Sequence, residues 1–224
     1  MNTKEPSLLS HIQQERKNTF DELGVSSIIF CVKVKSENDI SNSLQLHRKI
    51  VEDEVNKEGS NVTGLLMGQG NSILHLLEGP SYALLRILEC LSQNEQFLDS
   101  AVQSGRIAYV VEDRPQRYWP EWFSCTVQEK KSPIDDITAE TCNDIIHDLA
   151  QGLFEIGSGL QSTSHEQFDI SQYSEKIPGK NLTIAISNSS LFMTLEEFVL
   201  MYSAPYHLDL ESESTWPVER VVNY

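Results

Sequence analysis

Two short apolar runs, residues 62–67 and 73–77, lie on either side of the segment Gly68-Gln69-Gly70-Asn71. Glycine and asparagine accept the positive φ that tight turns need, so this pattern predicts a β-hairpin. Neither run alternates cleanly between apolar and polar positions, which is typical of strands that are covered on both faces. The pattern therefore predicts that the hairpin forms the middle of a sheet, and Pro80 is well placed to open a following helix.

Hydrophobic positions on both sides of the hairpin predict the rest of the sheet. Residues 27–34 and 106–111 have the apolar and β-branched composition of strands, and residues 123–128 are a candidate fifth strand. Apolar positions at helical spacing predict helices over residues 40–57 and 80–94. The order β-α-β-β-α-β, followed by the fifth strand, is that of a ferredoxin-like α+β sheet with both helices on one face.

The C-terminal third has a mainly helical pattern. Ser132-Pro133-Ile134-Asp135 has the residue types of a helix N-terminus, and an apolar stripe at helical spacing continues towards Gly157. Because the second face of the sheet is also apolar, we expect this helix to cover it. Residues 157–179 are polar and are predicted to be irregular, and residues 180–186 are predicted to form a strand.

The pattern also predicts one more helix near the C-terminus and a division of the chain into four segments. Thr194 and Glu197 are spaced as a helix cap, and the helix that they begin is predicted to stop before Pro205. The chain is therefore predicted to consist of a flexible N-terminal arm (1–24), a sheet domain (25–130), a mainly helical extension (131–204) and a C-terminal tail (205–224).

The charge of the chain argues against several classes of partner. It contains 17 Lys and Arg residues against 33 Asp and Glu residues, which gives a formal net charge of −16. Nucleic acids and anionic membranes are both bound through Lys and Arg, so we expect neither as a partner. No apolar run approaches the roughly 20 residues that cross a bilayer. The N-terminus lacks the apolar core of a signal peptide, and we therefore expect an intracellular protein.

The sequence contains none of the common catalytic motifs. G-x-S-x-G, the P-loop and H-E-x-x-H are all missing. The four cysteines form no C-x-x-C pair and are predicted to be small buried hydrophobes rather than metal ligands. The acid pairs Asp135-Asp136 and Glu196-Glu197 lie at predicted helix N-termini, where negative charge stabilises the helix dipole. We therefore expect no enzymatic activity and no metal site.

Three motifs carry a resemblance to a known family. Val62-Thr63-Gly64-Leu65-Leu66 and Ile73-Leu74-His75-Leu76-Leu77-Glu78-Gly79-Pro80 resemble the central hairpin of the BLUF (blue-light-using-flavin) domains. Arg117-Tyr118-Trp119-Pro120-Glu121-Trp122 resembles the R-x-F-x-x-W ending of that family. The resemblance covers residues 25–130. Over its whole length the chain is similar to the testis-expressed protein 47 group, which are animal BLUF-like proteins associated with sperm.

The resemblance implies a flavin site in which the important positions are changed. BLUF photochemistry uses a tyrosine on the first strand and a glutamine on the third, and these positions fall on Phe30 and His75. Phenylalanine has no hydroxyl to oxidise, and an imidazole cannot present the paired donor and acceptor of an amide. The methionine of the family falls on Ser124, and its asparagine falls near Asn56. We therefore expect that the photochemistry is lost and that neither FAD nor another cofactor is bound.

The resemblance also implies a location and a role. We expect a non-catalytic structural component of the sperm flagellar or motile-cilium axoneme, located in the cytoplasm and cytoskeleton and bound to axonemal or other cytoskeletal proteins. Trp119 and Trp122 are favoured as core residues at the sheet edge, with protein binding as the alternative, whereas Trp216 in the acidic tail is favoured for protein binding.

Two other functions stay open. A flavin- or small-ligand-binding sensor predicts a chromophore or a ligand-dependent change in stability. A soluble cytosolic signalling adaptor predicts that the protein is missing from salt-extracted axonemes.

Overall fold

A five-stranded sheet forms the centre of the molecule. The computed structural model describes residues 24–56, 61–93, 102–130, 137–161 and 170–203. The strands are β1 (Val25–Val34), β2 (Thr63–Gln69), β3 (Ser72–Gly79), β4 (Val102–Arg114) and β5 (Trp122–Thr126). Their order across the sheet is β4-β1-β3-β2-β5, and all neighbours are antiparallel except β2 and β5. The predicted ferredoxin-like order is therefore confirmed.

The predicted hairpin is the pair of β2 and β3. Its turn is shorter than predicted, because Gly68 and Gln69 remain in β2 and only Gly70 and Asn71 connect the strands. Gly70 has a φ of +55°, which glycine adopts without steric cost. Both strands are buried along their whole length, so the prediction that the hairpin is covered on two faces is confirmed.

Two helices cover the first face of the sheet, as predicted. Helix α1 (Ile40–Val55) connects β1 to β2, and helix α2 (Ser81–Gln93) connects β3 to β4. The apolar stripes of both helices pack on the sheet and form one hydrophobic core with it. Members of this core that are fully buried include Phe30, Val51, Leu66, Leu84 and Leu88. Val55, the last residue of α1, is 39% exposed, so the apolar face of α1 ends before the helix does.

Helices α3 (Cys142–Gln161) and α4 (Lys180–Asn188) cover the second face. A second hydrophobic core lies between them and the sheet. Its fully buried members include Ile29, Leu65, Leu76, Leu153 and Ile186. The prediction that the helical extension covers the second face is confirmed, and the division of the chain near residue 130 stays a prediction.

The strand predicted over residues 180–186 is wrong, because this segment begins α4. Its composition is β-branched, but the buried positions Leu182, Thr183 and Ile186 are spaced as one face of a helix. Packing of that face on the sheet therefore outweighs the intrinsic strand preference of the segment.

The last described helix, α5 (Leu195–Ser203), returns to the first face, where Phe198 and Val199 join the core formed with α1 and α2. Its cap is the predicted one: the Thr194 amide donates to Glu197 Oε2 at 2.8 Å, and the Glu197 amide donates to Thr194 Oγ1 at 3.0 Å. The extension thus covers part of both faces, and not only the second face.

The segment before α5 also covers an outer edge of the sheet. The Ile107 amide of β4 donates to the Met193 carbonyl at 2.9 Å, and Arg106 forms an antiparallel bridge with Thr194. Arg106 Nη1 also donates to the Phe192 carbonyl at 3.0 Å. The C-terminal extension is therefore hydrogen-bonded to the edge strand as well as packed against the core.

Several predicted boundaries differ from the structure. Strand β4 extends beyond the predicted 106–111 at both ends, and α3 continues past Gly157 to Gln161. The predicted irregular segment also contains a 3-10 turn, Ile170–Tyr173. The helix that was predicted to begin at Ser132 begins only at Cys142, because residues 137–141 form a non-helical segment with a turn. Ser132 itself, the N-terminal arm and the C-terminal tail lie outside the described residues.

The cysteine prediction holds only in part. Cys31 is buried, but Cys90 is exposed on α2, while Cys125 and Cys142 are half-buried. Within the described ranges, no three His, Cys, Asp or Glu side chains lie in a group suited to a metal ion. In the same part of the chain, no helix is both long and apolar enough to span a bilayer.

Candidate functional site

Three of the four predicted flavin positions lie in one row across the sheet. Phe30 on β1 pairs with His75 on β3, and on β2 Leu66 pairs with both His75 and Ser124 of β5. Cross-strand partners point to the same face, which here is the face that α1 covers. Phe30 and His75 are completely buried. Ser124 is half-buried, and its hydroxyl accepts a hydrogen bond from Arg48 Nη2 at 2.9 Å.

Asn56, the fourth predicted position, lies apart from this row. It is the exposed residue that ends α1. The structure therefore brings Phe30, His75 and Ser124 together and leaves Asn56 at the surface.

His47 lies on α1 and packs against this row from the helix side. It is completely buried, and its Nδ1 lies 3.4 Å from Nδ1 of His75, so that one ring donates a hydrogen bond and the other accepts it. The ring centroids of His47 and His75 are 5.5 Å apart, and Phe30 lies 4.9 Å from His75 and 6.1 Å from His47. These three side chains, called here the histidine cluster, pack against one another between the sheet and α1.

Burial keeps both imidazoles neutral. Desolvation lowers the pKa of His47 to about 3. It also lowers the pKa of His75 well below the ordinary value of 6.5, and repulsion by His47 lowers this pKa further. A neutral pair can share one hydrogen bond, because each ring then has one donor and one acceptor nitrogen. Neither ring is suited to acid or base catalysis near neutral pH.

The histidine cluster does not fit the flavin chemistry that the resemblance implies. Phe30 supplies no oxidisable hydroxyl at the place where that chemistry begins. His75 is held by the two other members of the cluster and by Trp122, whose ring centroid lies 6.3 Å from its own. Nε2 of His75 and Nε1 of Trp122 are buried and make no hydrogen bond to the residues that the structure describes. The arrangement is a packed core with a polar centre.

Glu78, the acid of the hairpin motif, forms a second buried polar cluster. Its side chain is completely buried. Oε2 accepts hydrogen bonds from the amides of Tyr118 and Trp119 at 2.9 and 2.8 Å. Oε1 accepts from Arg114 Nη1 at 3.2 Å and from Ser27 Oγ at 3.0 Å. One carboxylate thus connects β3 to β1, to the end of β4 and to the turn that carries the Arg-Tyr-Trp-Pro motif, with its charge fully paired.

The structure separates the three tryptophans. Trp119 is completely buried in the second core, where a Cβ added to Gly157 would lie only 2.7 Å from its ring. Its complete burial agrees with the predicted place in the core, and its role in protein binding stays a prediction. Trp122 is half-buried beside His75, and its role in protein binding stays a prediction. Trp216 lies outside the described residues.

Two buried residues of these clusters were missed from the sequence. His47 follows Leu44 by three positions and precedes Val51 by four, so its helical spacing already indicated an inward side chain. Arg114 ends β4, where an exposed cation is the usual expectation. Its burial beside Glu78 depends on contacts between distant segments, which a sequence pattern does not carry.

Solved structures similar to this chain include proteins that respond to light. BlrB, a BLUF protein in its dark state, is 18% identical, with a TM-score of 0.37, and the match covers 73% of this chain and 97% of BlrB. A bacterial light-regulated adenylyl cyclase is 12% identical, with a TM-score of 0.37, and the match covers 61% of this chain and 36% of the cyclase. Klebsiella pneumoniae BlrP1 is 13% identical, with a TM-score of 0.35, over 67% of this chain and 32% of BlrP1. The chain thus spans about a third of the two larger proteins.

A family model gives a longer match. The model of Testis-expressed protein 47 matches residues 25–204. The match begins at β1 and continues through the hairpin, the Glu78 cluster and helices α3, α4 and α5. The chain therefore belongs to the testis-expressed protein 47 family.

Proposed function

We propose that this protein is a non-catalytic structural component of the sperm flagellar or motile-cilium axoneme, where it binds axonemal or other cytoskeletal proteins. The family to which it belongs is described as testis-expressed, which supports a role in sperm. In this proposal the BLUF-like sheet serves as a scaffold that has lost flavin photochemistry, and it carries no cofactor.

The histidine cluster is the observation that carries this proposal. Phe30 and His75 take the two positions that perform the chemistry in the BLUF domains, and neither side chain can replace the original group. Both are completely buried, and His47 packs against them. A domain that keeps its sheet and helices but has a packed core at the reactive position is better suited to binding proteins than to sensing light.

Charge and exposed apolar surface indicate the kind of partner. With a net charge of −16, the protein is expected to bind basic segments of other proteins rather than acidic ones. On α5, Leu200 is 61% exposed and Met201 is 41% exposed. Exposed large apolar side chains are common in protein interfaces, so α5 is a reasonable place to begin mapping contacts.

Fractionation of sperm tests the location. Detergent-extracted flagella would be washed with increasing salt, and the protein would be followed by immunoblotting beside tubulin and a soluble enzyme. Retention with the axoneme after detergent, with release only at high salt, is expected for a charged structural component. Complete release with the soluble enzyme would contradict the proposal and favour the cytosolic adaptor.

An absorption spectrum tests the loss of the flavin. The purified protein would be incubated with excess FAD, desalted and compared with a flavin-binding BLUF protein treated in the same way. We expect no retained visible band and no rise in melting temperature with FAD. The double variant Phe30→Tyr, His75→Gln is expected to stay colourless as well, because the buried His47 ring still packs against both positions. A retained band in the unmodified protein would refute this part of the proposal and favour the sensor.

A further inference from the structure

A groove on the second face of the molecule lies between α3 and the end of β4. It is open to solvent and has a volume of about 570 Å³, which is within the usual range of small-molecule sites. Its lining combines aromatic, cationic and polar side chains, among them Tyr109, Arg114, Tyr118, Phe154, Ser158 and Lys176. The groove is separate from the histidine cluster, because Phe30 and His75 point to the opposite face of the sheet.

Arg114 is the cation of this groove and has unused hydrogen-bond donors. Its side chain is only 12% exposed. Both of its hydrogen bonds start at Nη1 and go inward, to Glu78 Oε1 at 3.2 Å and to Ser27 Oγ at 2.8 Å. Among the residues that the structure describes, Nε and Nη2 have no acceptor. These two nitrogens form the edge of a guanidinium that binds a carboxylate through two parallel hydrogen bonds.

Aromatic rings surround this guanidinium. Its Cζ lies 3.9 Å from the ring centroid of Tyr118 and 4.3 Å from that of Phe154. The two rings are stacked with centroids 4.6 Å apart, and Tyr109 meets Phe154 edge-on at 6.0 Å. Aromatic surface next to a partly buried cation provides dispersion contacts for a flat apolar group and a specific partner for a negative one.

The other charges around the groove are already paired. Lys176 Nζ lies 2.6 Å from Glu155 Oε2, and both side chains are close to half exposed. Glu78 is satisfied by its own cluster of donors. Because these charges balance one another, the unused donors of Arg114 are the feature that discriminates between ligands.

We infer that this groove binds a small aromatic carboxylate, with the carboxylate on Nε and Nη2 of Arg114 and the ring against Tyr118 and Phe154. The inference is independent of the proposed axonemal role, since it concerns a different surface. It assigns the protein a ligand site outside the histidine cluster, on the face that the helical extension covers.

An NMR titration of the full chain with 3-phenylpropionate tests this inference. Shifts of the amide signals of residues that line the groove, saturating at millimolar ligand or below, are expected. The matched probe 3-phenylpropanamide keeps the ring and removes the charge, and its affinity is expected to be lower by about tenfold or more. Equal affinity for the acid and the amide would overturn the inference, because Arg114 would then not favour a carboxylate over a neutral group. Binding of N-acetylphenylalanine without binding of 3-phenylpropionate would also overturn it, in favour of a peptide terminus.

A blocking variant locates the site without disturbing the Glu78 cluster. Ser158 is exposed on α3 and lines the groove, so Ser158→Trp is expected to fill it and to reduce binding by about tenfold or more. Asn143 is also exposed and neutral on α3 but does not line the groove, and Asn143→Trp is expected to bind like the unmodified protein. Unchanged binding by the Ser158 variant, once its fold has been verified from its NMR spectrum, would overturn the assignment.

Discussion

The buried histidine pair predicts that this protein loses stability in mild acid. His47 and His75 are neutral in the folded protein, and their folded-state pKa values lie far below 6.5. In the unfolded chain both rings take up a proton near their ordinary pKa. Below pH 6.5 the unfolded state therefore binds more protons than the folded state, and the free energy of unfolding falls as the pH falls. For His47 this loss continues to about pH 3, where the folded protein also becomes protonated.

The size of this effect follows from linkage. Each histidine contributes about 1.4 kcal/mol per pH unit once the pH is below its unfolded pKa. Between neutral pH and about pH 5, each histidine costs about 2 kcal/mol and the pair about 4 kcal/mol. That is a large part of the roughly 5–15 kcal/mol by which domains are stable. Carboxylates with a lowered pKa, such as Glu37 and Glu197, lose their contribution in more acidic solution, below their ordinary value of 4.5, so they add little in this interval.

Urea unfolding followed by circular dichroism at several pH values between about 5 and 8 measures this loss. The double variant His47→Leu, His75→Leu is expected to flatten the pH dependence, because no buried imidazole remains to be protonated on unfolding. His147 is exposed on α3, and His147→Leu removes one histidine without changing the pair, so it should keep the slope of the unmodified protein. A stability that stays constant from neutral pH to about pH 5, or a double variant that keeps the full slope, would refute the reasoning.

Two further predictions concern the positions on which the motifs depend. Gly64 has a φ of +139°, and a Cβ there would collide with the Leu76 carbonyl oxygen, so Gly64→Ala should cost about 3 kcal/mol or more. Gly70→Ala in the turn is the control, because its Cβ would meet only the flexible ends of Glu129 and Lys180, which can move aside, and it should cost about 1 kcal/mol. Equal costs of the two variants in urea unfolding would contradict this account. Glu78→Gln leaves Arg114 buried without its counter-ion and should cost about 3–5 kcal/mol. This cost would be measured as a lower urea midpoint, and a midpoint within error of the unmodified protein would argue against the ion pair.

Local patterns were sufficient to predict most of the sheet and helices α1, α2, α3 and α5, although α3 begins later than predicted. The hairpin could be predicted because its turn residues and its unbroken apolar runs indicate the same structure. Helix α4 could not, because its β-branched residues favour a strand until the sheet provides a surface for one face of a helix. The return of α5 to the first face depends on Phe198 and Val199 fitting beside α2, which is a tertiary contact between distant segments.

The sequence was sufficient to predict which residues take the site positions, but not how their side chains contact one another. The resemblance assigned Phe30 to the first strand and His75 to the third, and the structure adds that the two residues are direct partners in the register of β1 and β3. His47, the partner of His75, was missed because a single histidine among apolar helix positions gives no functional signal in the sequence. Its role becomes clear only when the fold brings the second imidazole within hydrogen-bond distance. The role of Arg114 could not be predicted from the sequence either. Which of its donors are used, and that they face a groove, depends on the folded structure.

The hydrogen bond between Ile107 and Met193 has a consequence for how the protein is made. An uncovered edge strand is a template on which other chains can pair, and β4 is the edge strand that the extension covers. Synthesis proceeds from the N-terminus, so all five strands leave the ribosome before the segment that protects this edge. During that interval the nascent sheet has an open edge, and shortened chains that end before residue 193 keep it permanently. Such truncations are expected to aggregate during expression, and the segment that precedes α5 therefore protects the protein against aggregation.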